Sequence, residues 1–319
     1  MKKNQQPHDA AFQEELSLAQ NEFKEQASSY PPRGSMNSEA MTRRQFLKRS
    51  GATLLGTGIL AGGYAWLWEP RQLDVTYHTL RFERLPAAFD GMKVVQFSDV
   101  HLGFYSNEAY IKRIMERIQQ EKPDMICFTG DIVDGEAEPM RAYMPYLYSL
   151  QAPMGKFAVL GNHDFWGQPD KVMQMLGDCG FKVLVNANHI VKSQGHSIAI
   201  VGLDDQLLGT PDPDKGLQGI PEDMFTLLLM HEPDYADVTA DYSFDIQLSG
   251  HSHGGQVRLP LLGALMLPLG SKRYIKGMYK VGPRSMPLYV NRGIGETHLP
   301  LRFMCKPELT VFTLRTSHT

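Results

Sequence analysis

The sequence predicts an α/β protein whose functional groups gather at the C-terminal ends of its strands. From about Leu73 onward, apolar runs of strand length stop, one after another, at Asp, Asn or His. A segment with helical spacing separates the first two runs, which is the crossover a parallel pair of strands requires. The composition is that of an ordinary globular chain: 319 residues, 42% hydrophobic and 21% charged. That is enough for a sizeable core in one large domain or two modest ones. The net charge of −3 gives no reason to expect a nucleic-acid partner. The three cysteines, Cys127, Cys179 and Cys305, are far apart and form no C-x-x-C pair. Neither a zinc ribbon nor a thioredoxin-type redox motif is therefore available.

Residues 1–41 are polar, rich in Gln, Glu and Ser, and interrupted by Tyr30-Pro31-Pro32-Arg33-Gly34. This leader is expected to be disordered, with "EELSLAQNEFKEQ" as its one helix-capable piece. Residues 42–70 differ in kind. "TRRQFLKRS" (Thr42–Ser50) precedes a run without charge from Ser50 to Trp68, which is a targeting pattern. Thr42 to Lys48 resembles the twin-arginine consensus, and the resemblance implies the twin-arginine translocase as a partner and export of a folded chain. Cleavage at the small-x-small site Gly63-Tyr64-Ala65 and retention as an anchor both fit. The run from 50 to 68 approaches the ~20 residues that span a bilayer, and Trp66 and Trp68 suit its interface. Arg43, Arg44, Lys48 and Arg49 would stay inside, so the chain beyond Pro70 is expected outside the cytoplasm. There it would be membrane-anchored, wall-associated or secreted. An ordinary membrane anchor with basic flanks is the competing interpretation. A leader of this length is long for a signal, and Met36 or Met41 is the expected translation start, which N-terminal sequencing of the precursor decides.

Residues 71–319 hold the candidate catalytic domain. "MKVVQFSDVH" ends in Asp99 and His101, "DMICFTGD" in Asp131, and "KFAVLGNHD" in Asn162, His163 and Asp164. "FTLLLMHEP" ends in His231, and "FDIQLSGHSH" in His251 and His253. Each run is short and rich in Val, Ile, Leu or Phe, and reads as a buried strand. At period 2, Asp99 and His101 share a face, as do His251 and His253. If neighbouring strands point the same way, these groups meet at one edge, where open α/β sheets place ligand sites. Between the first two strands, "NEAYIKRIMERIQQEKPD" sets Ile111, Ile114, Met115 and Ile118 at helical spacing and stops at Pro123.

One Asp or His at a strand end is usually a cap or turn residue; five successive strand ends carrying such residues indicate a metal site. Imidazole and carboxylate without thiolate suit Mn²⁺, Fe or Zn²⁺ and argue against a closed structural zinc site. Two carboxylates, one amide oxygen and four imidazoles exceed one tetrahedral ion. Two divalent ions sharing Asp131 would use them all.

The ordered set Asp-x-His, Gly-Asp, Gly-Asn-His-Asp, a lone His and Gly-His-x-His resembles the calcineurin-like metallophosphoesterases over about Leu73 to Leu314. "YVNRGIG", "LPLRFMCKPELTVFTL" and "GGQVRLPLLGALMLPLGSKRYIKGMY" are similar to the membrane-associated or twin-arginine-exported subgroup. That subgroup includes enzymes similar to UDP-2,3-diacylglucosamine pyrophosphatases. The resemblance implies a two-sheet β-sandwich flanked by helices, with the metal site at strand C-terminal ends. It implies one metal on Asp99, His101, Asp131 and His253, and a second on Asp131, Asn162, His231 and His251. His163 would then be catalytic rather than a ligand, facing the substrate phosphate, with Asp164 orienting its ring. The implied reaction is hydrolysis of a phosphodiester or pyrophosphate bond by a metal-bridging hydroxide, on a phosphate-ester substrate with a lipid-linked or envelope origin in view. No Gly-x-Ser-x-Gly elbow offers a covalent nucleophile.

Other residues carry less. Asp134 reads as a turn residue holding the Asp131 loop, and Asp204 and Asp205 as turn residues or a lining of the site. His189, His196 and His298 read as loop histidines. Arg292 is a weak candidate for substrate phosphate, equally a structural turn residue. The insert "LPLLGALMLPLG" followed by "SKRYIKGMYK" reads as a packed loop or as an apolar-then-basic lipid-facing surface. A phosphomonoesterase of the same fold competes, as does a non-catalytic exported metal-binding or wall-associated protein, for which His163 would have no use. A metal-dependent amidohydrolase is disfavoured, because its His-x-His comes on the first strand rather than the fifth.

Overall fold

Two six-stranded mixed sheets lie face to face, and the strand-length apolar runs supply their centres. The computed structural model describes residues 8–28, 41–105, 107–166 and 168–317. Residues 1–7 and 29–40 of the polar leader, Met36 among them, lie outside the described residues. The chain divides into two compact units, Met1–Gly56 and Thr57–Thr319.

In the first unit, the leader expected to be disordered contains a helix, α1 (His8–Ser28). Its Ala, Leu, Gln, Glu and Lys are strong helix formers, and every side chain described on it is exposed. Helix α2 (Arg43–Gly63) carries the paired arginines and opens on Thr42, whose hydroxyl accepts the N–H of Gln45 at 3.2 Å. Among the described residues, no helix is long and apolar enough to cross a membrane. Four basic residues and five glycines dilute the apolar run in α2.

In the second unit, packing starts before residue 71. Ala65 and Glu69 are buried, and the Glu69 carboxylate accepts the N–H groups of Met304 and Cys305. The strands follow as β1 (Asp74–Phe82), β2 (Lys93–Phe97), β3 (Met125–Thr129), β4 (Lys156–Val159), β5 (Phe181–Val183), β6 (Ala187–Ser193) and β7 (His196–Gly202). After these come β8 (Thr226–Leu229), β9 (Ile246–Ser249), β10 (Arg258–Leu259), β11 (Gly263–Ala264), β12 (Gly277–Val281), β13 (Met286–Val290) and β14 (Glu308–Thr316). One sheet has the order β1-β14-β2-β3-β4-β5, the other β12-β13-β9-β8-β7-β6, and β10-β11 form a separate hairpin.

Period-2 alternation sorts side chains between the layers. Along β2, Val94 faces the inter-sheet core, with Met125, Phe157, Leu227 and Leu248. Val95 and Phe97 face the outer side, against Ile111, Ile114 and Met115 of α3 (Glu108–Gln120). Helix α3 forms as its spacing predicts, and Asn107 caps it by accepting the N–H of Tyr110. Helices α4 (Met144–Ser149), α5 (Asn162–Trp166) and α6 (Pro169–Asp178) follow in the chain, and Leu147 and Leu176, from α4 and α6, join α3 on that outer face. On the far side of the second sheet, Leu228 and Val290 pack with Ala236 and Phe244.

The two-sheet sandwich flanked by helices matches the expectation. Parallel pairing of β2, β3 and β4 brings three of the ligand-bearing strand ends to one edge. Parallel pairing of β8 and β9 brings the other two to the edge of the second sheet. His189 and His196 lie in strands β6 and β7 rather than in loops. All three cysteines are free and buried.

Candidate metal centre

Each ligand-type residue sits two to four residues beyond a strand, where the backbone must leave the sheet abruptly. Five of the seven candidate ligands take the left-handed conformation that side-chain-bearing residues rarely adopt: Asp99 (φ 53), His101 (φ 48), Asp131 (φ 59), His251 (φ 66) and His253 (φ 48). Asp and His tolerate that region better than most residues, but it still costs energy and clusters at functional sites. Two glycines allow the backbones to close on the carboxylates. A Cβ on Gly161 would stand 2.4 Å from Asp131 Oδ1 and 2.6 Å from His231 Nε2. One on Gly250 would stand 1.9 Å from Ser98 Oγ and 2.4 Å from Asp99 Oδ2.

All seven candidate ligands are buried, and they fall into two groups. In the first, His101 Nε2 lies 3.0 Å from His253 Nε2, and His253 Nε2 lies 3.4 Å from Asp99 Oδ1. In the second, His231 Nε2 lies 3.2 Å from His251 Nδ1 and 3.1 Å from Asp131 Oδ2. The same Asp131 oxygen lies 3.7 Å from His101 Nε2, so it faces both groups. Asn162 Oδ1 is buried without a hydrogen-bond partner.

The outward ring atoms fix which nitrogen points inward. His231 Nδ1 donates to the Thr129 carbonyl at 2.6 Å. His251 Nε2 donates to the Leu269 carbonyl at 2.7 Å. His101 Nδ1 donates to Asp134 Oδ1 at 2.9 Å. In each case the remaining nitrogen points toward the centre. The nitrogen–nitrogen approaches of 3.0 and 3.2 Å, together with an orphaned amide oxygen, gather donors of the kinds that hold metal ions. The donor set therefore fits divalent cations.

Burial opposes ionisation of Asp131, but His231, bonded to it, and His101 outweigh burial and hold its carboxyl well below the ordinary range. Burial and the neighbouring His231 push His251 down to about 4, which keeps its inward nitrogen unprotonated at neutral pH. Burial raises Asp99 above its ordinary value, with the histidines pulling the other way.

The family model for calcineurin-like phosphoesterases matches residues 92–255, the span from β2 through the strand-end pair His251 and His253. The chain is a calcineurin-like phosphoesterase.

Three relatives share nearly their whole length with this phosphoesterase. It is 44% identical over 285 residues to the uncharacterized metallophosphoesterase YkuE of Bacillus subtilis, covering 87% of this chain and 99% of that protein. It is 31% identical over 281 residues to the phosphodiesterase YaeI of Escherichia coli, covering 86% and 99%. It is 27% identical over 318 residues to the UDP-2,3-diacylglucosamine pyrophosphatase LpxG of Chlamydia muridarum, covering 82% and 96%. The chain is accordingly an enzyme of the metallophosphoesterase family, and its metal-ligand residue types are brought together.

The structure redistributes roles around His163. Asp164, expected to orient the His163 ring, points instead into the loop after β3. Its Oδ2 accepts the N–H groups of Asp131 and Gly161 at 2.9 and 3.0 Å. Its Oδ1 accepts those of Ile132 and Val133 at 2.9 and 3.1 Å. The carboxylate that stands beside the ring is Asp134: His163 Nδ1 lies 2.9 Å from Asp134 Oδ1, although without hydrogen-bond alignment. Asp134 thus does more than hold a turn, because the same oxygen takes His101 Nδ1. Burial works against ionisation of Asp134, and its contacts with His101 and His163 bring its pKa to about 2. The short helix α5 puts Trp166 against His163, with ring centroids 4.1 Å apart, and His298 lies 6.5 Å from the same ring.

Arg292, the weak candidate for substrate phosphate, is engaged by two carboxylates. Its guanidinium is held by Glu308 at 3.0 Å and Asp74 at 2.8 Å. Asp204 and Asp205 are turn residues: they accept the N–H groups of Asp205 and Thr210, and of Leu207 and Leu208, respectively. Sequence reasoning missed Arg302, which is fully buried. It donates to the carbonyls of Arg292, Gly293, Gly295 and Cys305 and stands 3.5 Å from His253 Nδ1. Nothing around "LRFMC" marks such an arginine in the sequence.

Proposed function

We propose that this enzyme is an exported or membrane-anchored two-metal phosphodiesterase that hydrolyses a phosphodiester or pyrophosphate bond, with a lipid-linked or envelope compound as substrate. The observation that carries the two-metal part is Asp131, whose Oδ2 faces His231 on one side and His101 on the other. Asp99, His101, Asp131 and His253 would hold one ion; Asp131, Asn162, His231 and His251 would hold the other. The donor types suit Mn²⁺, Fe or Zn²⁺. Bound there, two such ions supply a nucleophile from water near neutral pH and neutralise charge on the phosphoryl oxygens.

The chain's own groups do the rest. His163 lies against Asp134 through Nδ1, which leaves Nε2 as the ring atom to hold a proton for a phosphoryl or leaving oxygen. Burial lowers the His163 pKa, but the Asp134 contact and the Asp131 charge outweigh it and raise the value, which favours the protonated ring. Asp164 fixes the backbone from Asp131 to Val133 and keeps the shared carboxylate aimed between the two groups. The diester or pyrophosphate preference is supported by the relatives YaeI, a phosphodiesterase, and LpxG, a UDP-2,3-diacylglucosamine pyrophosphatase. Export and the twin-arginine route are supported by the residues Thr42 to Lys48.

The experiment is hydrolysis of bis(p-nitrophenyl) phosphate by the full chain, metal-stripped and then reloaded with Mn²⁺ or Zn²⁺, with H251A as the control. Metal-dependent release of nitrophenol that the variant lacks is the expected result. No turnover with two ions bound per chain would overturn the diesterase assignment, and the monoester p-nitrophenyl phosphate would then decide between a monoesterase and a binder.

A further inference from the structure

The insert between β9 and β12 leaves apolar side chains in water beside the metal centre. Its hairpin pairs Arg258 with Ala264 and Leu259 with Gly263, so Pro260, Leu261 and Leu262 form the tip. Leu261 is 107% exposed, Leu262 75%, Leu265 58%, Met266 73% and Leu269 66%. Large aliphatic side chains this concentrated exceed the scattered exposure normal on a soluble surface. Leu261 also takes φ 67, a left-handed conformation that costs a leucine energy and that glycine or asparagine would adopt more easily.

Charge complements this tip. Between Asp245 and Glu296 the sequence has no Asp or Glu but seven Lys and Arg, in a chain whose net charge is −3. Lys272, Arg273 and Lys276, just after the hairpin, are exposed, and Arg273 alone of these pairs with a carboxylate, that of Asp237. Apolar side chains followed by cations, with no acidic residue among them, suit a surface whose interior is hydrocarbon and whose rim is anionic.

The insert is also tied to the site. The Leu269 carbonyl holds His251 Nε2 at 2.7 Å. Arg258 Nη1 donates to the Gly254 carbonyl at 2.9 Å. Ser252 Oγ donates to the Ile275 carbonyl. Whatever the hairpin meets is thereby placed next to the metal-ligand loops.

We propose that the hairpin tip enters an anionic lipid surface, with Lys272 and Lys276 at the headgroups, so that the metal centre works at the membrane interface. This deepens the lipid-linked reading of the substrate, but insertion is measured without turnover, so its failure would leave the phosphoesterase assignment standing.

The test labels the tip of the full chain. Because Cys127, Cys179 and Cys305 are buried, L262C offers a selectively reactive thiol for an environment-sensitive nitrobenzoxadiazole dye, with E116C on α3 as the control position. Vesicles of phosphatidylcholine with phosphatidylglycerol are expected to raise and blue-shift the emission at 262 but not at 116. K272Q/K276Q should weaken that response roughly 25-fold, about fivefold per cation. L261S/L265S should weaken it at least roughly tenfold, with turnover of soluble bis(p-nitrophenyl) phosphate unchanged. A dye at 262 that stays in water while the chain binds vesicles through another segment would overturn the proposal. So would equal insertion into pure phosphatidylcholine, or the same response to soluble polyphosphate.

Discussion

Replacing Asp164 by asparagine separates a structural carboxylate from one that touches the chemistry. The carboxylate accepts four backbone N–H groups, two on each oxygen. Asparagine keeps the shape and one acceptor oxygen, so two of these bonds survive. The other two donors would face an amide nitrogen, itself a donor. A buried N–H left without an acceptor costs about 1–3 kcal/mol, so two cost on the order of 2–6 kcal/mol. At roughly 2 °C per kcal/mol for a domain of this size, the unfolding midpoint of D164N should fall by about 4–12 °C. Because three of the four N–H groups belong to the loop carrying Asp131, metal retention should fall as well. Thermal unfolding followed by circular dichroism, with and without added Mn²⁺, and metal content by mass spectrometry measure both effects. An unchanged midpoint and unchanged metal content with lost turnover would refute the reasoning and return Asp164 to the side of His163.

Three further outcomes follow from the same geometry. H163A should retain its metals but lose about 10²–10⁴-fold in kcat; full turnover would remove His163 from the chemistry. D134N should weaken metal retention about 10–100-fold through His101 while moving unfolding by less than about 1 kcal/mol, since Asp134 is partly exposed; undiminished retention would sink its assigned role. Glu308 tests the charge network at the sheet edge: burial raises its pKa, but the bonds from Arg292 outweigh burial and lower it. Its folded value is therefore below its unfolded value, and its contribution to stability is full above pH 4.5 or so. That contribution is lost as pH falls through the folded value. E308Q should be less stable than the parent at pH 7, with the gap closing under acid; urea midpoints with a gap constant from pH 7 to pH 3 would contradict this.

The strand ends were legible because a buried strand needs an apolar run and a ligand needs a polar residue where that run stops. Both are local properties, so Asp99, Asp131, Asn162, His231 and the His251–His253 pair stood out from spacing alone. Helix α3 was legible for the same reason: Ile111, Ile114, Met115 and Ile118 declare its buried face. Roles that depend on direction were not. Asp164 adjoins His163 in sequence, yet the turn into α5 aims its carboxylate at the Asp131 loop, and Asp134, from another loop, reaches the ring. Arg292 looked available for phosphate because nothing in the sequence announces Asp74 and Glu308 at its ends, which are drawn together only by pairing of β1 with β14.

The sequence by itself determined the fold class, the chemistry of the donors and their order along the chain, since each follows from residue type and short-range periodicity. Only the tertiary structure decided that the donors come from the edges of two sheets rather than one. It also set His101 and His253, 152 residues apart, nitrogen to nitrogen, and it forced five of the seven candidate ligands into left-handed backbone. Those facts depend on which strands become neighbours and how tightly their loops close, and both are settled by packing between segments that no local pattern relates.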